Sequence, residues 1–295
     1  MQGLLLLDKP QNITSFSAVS AVKRAAGEKR VGHTGTLDPM ATGVLPILLG
    51  RATALSSLML DADKRYIARI RLGIVTDTDD ITGNIVSTHA VNLQKGALEE
   101  ALKNFTGKIS QIPPMYSAIK KDGVRLYTLA REGKTVEIPS RDIEVYELIL
   151  LSEPNEDNEF EIEAHVSKGT YIRALARDIG EYLGVGATLT ALRRTYASGF
   201  NIKECVLLSE LNADNIGEYI LSEETALMHL RELNVTEKQA VRFCNGGQLG
   251  FERIHIENIV PDELFRVKYG EKLLGVGYAD NNKQQIAIKC IINNV

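Results

Sequence analysis

The sequence predicts an α/β (α+β) chain in two parts: a large domain mixing strands with helices, then a small β-barrel-like domain. Two observations carry this. Period-two apolar runs stand beside helical-period runs through the first 200 residues, and beyond about residue 230 short alternating runs follow one another closely. The length of 295 residues fits one large domain and a small one.

In chain order, Asn12-Ile13-Thr14-Ser15 supplies an N-cap for a helix with apolar Val19, Val22 and Ala26, stopped by Gly27. Residues 32–43 are rich in Gly, Thr and Pro, lack any period and read as loop. Tyr66, Ala68, Ile70 and Leu72 alternate with Arg69 and Arg71, the pattern of a half-buried strand. Leu98, Leu102 and Phe105 have helical spacing and end near Gly107. Residues 160–166 alternate again, and Ser167-Lys168-Gly169-Thr170 turns that strand into a helix carrying Ile172, Leu175, Ile179 and Leu183, closed by Gly184. Further on, a helix at 237–243 ends in Asn245-Gly246-Gly247, and strands follow at 264–269, 273–278 and 286–292.

Composition excludes several classes. A 44% hydrophobic and 24% charged content is that of a soluble globular protein. The apolar run at 4–7 is far below the roughly 20 residues that span a bilayer, and Asp8-Lys9-Pro10 directly after it fits no signal peptide. Cys205, Cys244 and Cys290 are odd in number and widely spaced, so neither a disulfide framework nor a zinc site is expected, and the reducing cytoplasm is the expected compartment. The net charge of -4 hides an uneven distribution: 204–232 hold seven acids against Arg231 alone, and the first 60 residues are basic by three. A basic working face for nucleic acid is therefore compatible with an acidic chain.

The densest chemistry lies in Gly32-His33-Thr34-Gly35-Thr36-Leu37-Asp38-Pro39-Met40-Ala41-Thr42-Gly43. It has neither the Gly-Lys-Ser/Thr of a phosphate loop nor dinucleotide glycine spacing. It offers Asp38, restricted by Pro39 to an extended backbone; the alternative is a turn in which Asp38 caps Met40 or Ala41. Tyr66 faces inward on its strand, as a site residue or a core tyrosine. Tyr171 and Arg173 stand at a helix N-terminus, where an anion is favoured, although Arg173 could equally be a surface residue pairing with nearby carboxylates. Arg193-Arg194 reads by default as a solvated basic pair, and Pro113 to Ala118 with Lys120, Lys121 and Arg125 as an exposed basic arm. No spacing of His, Cys, Asp and Glu fits a metal, and no Gly-x-Ser-x-Gly elbow is present.

Taken together, Asp8-Lys9-Pro10 with Thr14-Ser15, VGHTGTLDPMATG at 31–43, Lys64-Arg65-Tyr66, Leu72-Gly73, TDTDD at 76–80, PPMYSA at 113–118, GTYIR at 169–173 and LRRT at 192–195 resemble the TruB family of tRNA pseudouridine synthases. The resemblance spans residues 3–200 in family order. It implies a catalytic domain over 1–230 built on a mixed, largely antiparallel sheet, with an RNA-binding insertion at about 108–134 and the acidic connector at about 204–232. A PUA-like RNA-binding domain is implied over 231–295. It further implies isomerisation of uridine 55 in the tRNA T-loop to pseudouridine, without cofactor or metal. By position, Asp38 matches the family's catalytic aspartate, Tyr66 the tyrosine that stacks on the target base, and Arg173 the arginine that pairs with the aspartate. Tyr171 and Leu192 match pocket-lining residues and Asp80 a further pocket carboxylate. His33 matches the histidine that fills the place of the flipped base. Lys9 and Pro10 match a motif beside the pocket. The T-arm of tRNA is the implied partner, bound by a monomer with no membrane and no required protein partner. The rivals are a dyskerin-like, guide-RNA-directed synthase of the same chemistry and a non-catalytic tRNA-binding or folding factor on the same scaffold.

Overall fold

The computed structural model describes the chain from Met1 to Val295 except residues 117–119, 122–123, 126–135, 137 and 255. Ser117 and Ala118 of the basic arm thus lie outside the described residues. Lys120–Lys121 and Val124–Arg125 pair antiparallel as two short strands.

The main elements in order are β1 (Gly3–Lys9), α1 (Ser15–Ala26), β2 (Val31–His33), β3 (Thr42–Leu49), β4 (Lys64–Leu72), α2 (Ala97–Asn104), β5 (Gly107–Gln111), β6 (Arg141–Ser152), β7 (Glu159–Val166), α3 (Ile172–Tyr182) and β8 (Ala187–Ala197). Their sheet runs Val206–Leu207, β1, β3, β8, β4, β7, β6, β5. Among these pairs only β1 with Val206–Leu207 and β3 with β8 are parallel, so the sheet is mixed and largely antiparallel.

Local chemistry sets the helices. Thr14 accepts the Ser17 N–H as N-cap of α1, and Gly27 ends it in the left-handed region at φ 60°. α1 packs Ala18, Val19 and Val22 on Leu5, Leu7, Leu45 and Ile47. α3 packs Ile172, Leu175 and Ile179 on Tyr66, Ala68, Ile70, Phe160 and Leu189. On the opposite face of β1 and β3, Leu4, Leu6 and Leu48 join Leu227, Leu273, Val276 and Ile292, so these two strands are buried on both sides.

One expectation needs correction. Of residues 32–43, read as loop, Gly32 and His33 belong to β2 against β3, and β3 already begins at Thr42, so the true loop is 34–41. The acidic stretch lies against the large sheet: its Val206–Leu207 and Ile220–Leu221 both add to β1, and Val206 and Ile216 are buried in the cluster that α1 covers.

The remaining chain forms β9 (Arg231–Asn234), α4 (Glu237–Cys244), β10 (Leu249–Gly250), β11 (Leu264–Tyr269), β12 (Lys272–Asp280) and β13 (Gln285–Ile291). The strand order is β9, β11, β12, β13, β10, an open five-stranded half-barrel sheet rather than a closed barrel. Its core packs Phe243 of α4 on Phe265, Val267, Leu274 and Ile286.

Gly43 is where the large sheet tolerates least. It pairs with Lys9 on one side and Arg194 on the other, at φ 109°. A Cβ there would lie 2.1 Å from the Arg194 carbonyl oxygen and 2.7 Å from its nitrogen. Gly43→Ala is therefore expected to cost about 3 kcal/mol by forcing β3 and β8 apart. Urea unfolding checks this; a midpoint equal to wild type would contradict it.

Candidate active site

The loop 34–41 is pinned before any side chain chemistry is considered. Ser15 Oγ donates to the Leu37 carbonyl at 3.0 Å and accepts the Leu37 N–H at 2.8 Å. The Asn12 N–H donates to the Pro39 carbonyl at 2.7 Å, and the Ala41 N–H to the Asp38 carbonyl at 3.1 Å. Leu37, Met40 and Ala41 sink into the same apolar cluster as Tyr66, Ile172 and Leu192. Asp38 is left between them with its side chain 36% exposed. It is thus a turn residue through its backbone, while its carboxylate points elsewhere.

That carboxylate meets Arg173. Asp38 Oδ2 lies 3.0 Å from Arg173 Nε, and the arginine side chain is only 6% exposed. The far end of the guanidinium donates to the Thr78 carbonyl at 3.1 Å and the Tyr116 carbonyl at 2.9 Å, and Nη1 stands 3.5 Å from Asp80 Oδ2. The other oxygen of Asp80 is occupied within its own turn, accepting from Thr78 Oγ1 at 2.9 Å and from the Thr82 N–H at 2.9 Å. One buried cation therefore separates two carboxylates, each fixed by a different segment. Arg173 pairs with carboxylates, but from a buried position rather than at the surface.

Burial pushes the Asp38 carboxyl above its ordinary range; Arg173 pulls against this, Asp80 adds to the rise and Lys9 opposes it. Lys9 is fully buried at the end of β1. Its ammonium donates to the Pro10 and Ile13 carbonyls at 2.8 Å each and to the Pro39 carbonyl at 3.5 Å. Desolvation lowers its pKa to about 8, with Asp38 resisting the fall.

His33 sits on β2, with Nδ1 accepting the Gly35 N–H at 3.2 Å, so its proton resides on Nε2. Burial and Arg194 both lower its pKa, leaving a neutral ring. Tyr171 stands at the N-cap of α3, its backbone gripped from both sides by fully buried Gln111: Tyr171 N–H to Oε1 at 2.9 Å, and Nε2 to the Tyr171 carbonyl at 3.1 Å.

The structure thus brings Asp38, Arg173 and Asp80 into contact, with Lys9 in electrostatic reach and Tyr66 and Leu192 in the flanking apolar cluster. Pro10 is exposed and enters through its carbonyl, and His33 attaches to the loop from the β2 side. Arg194 overturns its default reading as a solvated charge. It is 1% exposed, and its guanidinium donates to the Val44 carbonyl at 2.7 Å and the Gly35 carbonyl at 3.0 Å, bracing the loop from beneath. Its neighbour Arg193 is the outward one, 2.7 Å from Asp8 Oδ2. Gln111 and Arg194 carry no signal in the sequence beyond lying in or beside motifs.

Comparison with known proteins places the fold and the family. The fold superposes with a TM-score of 0.76 on a chain of a solved Cbf5-Nop10-Gar1 complex, at 26% identity and covering 99% of this chain and 85% of that one. A chain of an H/ACA RNP bound to a substrate RNA containing 2′-deoxyuridine gives 0.74 at 23% identity, with the same coverage. The class is that of the pseudouridine synthases, which are isomerases. Residues 23–172 match the TruB family pseudouridylate synthase (N terminal domain), and residues 173–233 match the tRNA pseudouridylate synthase B C-terminal domain. The chain belongs to the TruB family. It is 41% identical over 307 residues to the tRNA pseudouridine synthase B of Shewanella woodyi, covering 99% of this chain and 94% of that protein. It is 40% identical over 278 residues to that of Clostridium kluyveri, covering 94% and 95%. Among the described residues no helix is long and apolar enough to cross a membrane.

Proposed function

We propose that this protein converts uridine 55 in the T-loop of tRNA to pseudouridine, with Asp38 acting at carbon 1′ of the ribose. The observation that carries the reading is the half-exposed Asp38 carboxylate held 3.0 Å from a buried arginine, at the edge of the apolar cluster containing Tyr66. The name of the relatives, tRNA pseudouridine synthase B, supports tRNA as the substrate.

In the reaction the bond from uracil nitrogen 1 to carbon 1′ breaks, the base turns, and carbon 5 bonds to carbon 1′. The proton on carbon 5 leaves to solvent and nitrogen 1 gains one, so atoms balance and nothing is oxidised. A carboxylate beside carbon 1′ meets the positive charge that develops there, as at the sugar carbon of glycosidases. Arg173 keeps that carboxylate ionised and aimed, with Asp80 behind it. Tyr66 stacks on the extruded uracil, and Tyr171 and Leu192 line its pocket. His33, flat and neutral, takes the vacated place in the T-loop. Lys9 and Pro10 brace the pocket from below. The segment 108–134 and the module from 231 add RNA contacts around a catalytic body over 1–230. The protein acts as a cytoplasmic monomer.

The test is positional. An unmodified tRNA transcript is incubated with the protein, and pseudouridine is located by carbodiimide labelling and primer extension. A single stop at the T-loop uridine supports the reading; modification elsewhere, or none, overturns it.

A pH prediction follows from the electrostatics. The rate requires ionised Asp38, whose pKa is raised, so the acid limb of the single-turnover rate is expected above the ordinary aspartate value of 3.8. Lys9 favours the ionised form, so Lys9→Met removes that support and moves the limb further up. A limb unmoved by Lys9→Met would show that its ammonium does not act on Asp38.

A further inference from the structure

Arg173 is not alone on its face of α3. Arg177 follows one turn later, and residues four apart on a helix are neighbours. Its Nη1 lies 3.0 Å from Asp79 Oδ2, and its Nη2 donates to the Ile112 carbonyl at 2.9 Å. Asp178 Oδ1 accepts from its Nε and Nη2 at 2.9 and 2.7 Å, holding the guanidinium flat for these contacts.

The pattern repeats that of Arg173. Both arginines reach the turn 78–80, Arg173 through the Thr78 carbonyl and Asp80, Arg177 through Asp79. Both also take a carbonyl from the segment leaving β5, Arg173 from Tyr116 and Arg177 from Ile112. The turn needs holding. Asp79 lies at φ 60°, a left-handed conformation uncommon for a residue with a side chain. The Leu189 N–H donates to its carbonyl at 3.1 Å, which ties the same turn to the start of β8. Asp79 and Arg177 are largely buried, at 13% and 20% side-chain exposure, so their attraction is less screened than at the surface. Burial raises the Asp79 carboxyl to about 6, with Arg177 and then Arg173 opposing the rise.

We propose that Arg177, acting through Asp79 and the Ile112 carbonyl, is a positioning residue for the uridine isomerisation: it fixes the turn and the 112–116 segment on α3, so that Arg173 presents Nε to Asp38. The proposal rests on the isomerase reading above. Arg173 makes four contacts with three separate segments. If the turn moves, its Thr78 and Asp80 partners move with it, and the guanidinium leaves Asp38. Arg177 bonds to Asp79, Asp178 and Ile112, so its effect on the reaction is transmitted through the placement of Arg173.

The test uses the full chain with Arg177→Gln, Asp79→Asn, the double variant and Arg177→Lys. Single-turnover rate at saturating tRNA transcript, tRNA affinity and thermal midpoint are measured for each. Arg177→Gln and Asp79→Asn are each expected to slow the rate by about tenfold, with tRNA affinity within about twofold, because a small misplacement of a reacting group costs rate rather than binding. The double variant is expected to be no slower than the slower single one, since both break the Arg177–Asp79 contact, and Arg177→Lys, which keeps the charge facing Asp79 but not the fork, to recover part of the rate. Variants at the wild-type rate, or losses that multiply in the double variant, would overturn the proposal. So would a slowing that only tracks a lowered midpoint and that Lys does not relieve. An inactive wild type would sink the isomerase reading and this proposal with it, whereas an active wild type with unaffected variants sinks this proposal alone.

Discussion

Asp38→Asn is expected to fold and to bind tRNA while losing isomerisation by on the order of 10³-fold or more, the scale seen when a group meeting transition-state charge is removed. The local structure explains why the fold survives. The loop is held by the Ser15 hydroxyl, the Asn12 and Ala41 N–H groups and the insertion of Leu37 and Met40, none of which involves the Asp38 carboxylate. An asparagine oxygen can still accept from Arg173 Nε. Removing a carboxyl that burial already pushes upward also relieves a cost of the native state. The thermal midpoint should therefore stay close to wild type while the rate collapses. A variant within tenfold of the wild-type rate would show that the carboxylate is not the group acting at the sugar.

Arg173→Met should damage both stability and rate. The arginine is 5% exposed and stands between Asp38 and Asp80. Its loss leaves two carboxylates without their shared cation and two carbonyls, of Thr78 and Tyr116, without a donor. Breaking a buried ion pair from one side costs about 3 kcal/mol or more. The rate is expected to fall by on the order of 10²-fold, because Asp38 loses its orientation. The residual activity should have its acid limb at higher pH, since Arg173 favours the ionised form. Arg173→Lys keeps a charge but not the planar fork that reaches three segments at once, so it should fall between the two. Urea unfolding and a pH–rate profile check these outcomes. Unchanged stability would mean that the carboxylates find another partner.

How much of this was legible depended on what each residue faced. β4 and β7 could be read because one face is core and the other polar, so Ala68, Ile70 and Leu72 alternate with arginines and Phe160 and Ile162 with glutamates. β1 and β3 carry no such alternation, being buried on both faces, and Leu4 to Leu7 therefore looked like a short apolar run. β8 was hidden for a different reason. Its Thr188, Arg193 and Arg194 are polar residues within a central strand, and their partners come from distant segments: Thr76, Asp8 and the carbonyls of Gly35 and Val44. Three of the five C-terminal strands, β11, β12 and β13, fall within one or two residues of the sequence reading because Gly270 and the Asn281-Asn282 turn punctuate them, whereas the short β9 and β10 carry no such signal.

The site shows the same division. The loop around Asp38 stood out because small residues and a proline surround a lone carboxylate. The motif resemblance then pointed to Arg173 and Asp80, whose proximity to Asp38 comes only from the packing of α3 and the turn 78–80 against the sheet. Arg177, Gln111 and Arg194 were missed because they act through backbone carbonyls or residues far away in sequence. The i, i+4 spacing of Arg173 and Arg177 was the one local sign.

The most direct test follows tritium. A tRNA transcript labelled with tritium at uracil carbon 5 is incubated with the purified protein in buffer free of cofactors, beside the Asp38→Asn variant. Release of label equivalent to the single T-loop uridine by wild type, and none by the variant, is the predicted result. Tight binding of the tRNA by both proteins with no release from either would contradict the isomerase and leave a tRNA-binding factor.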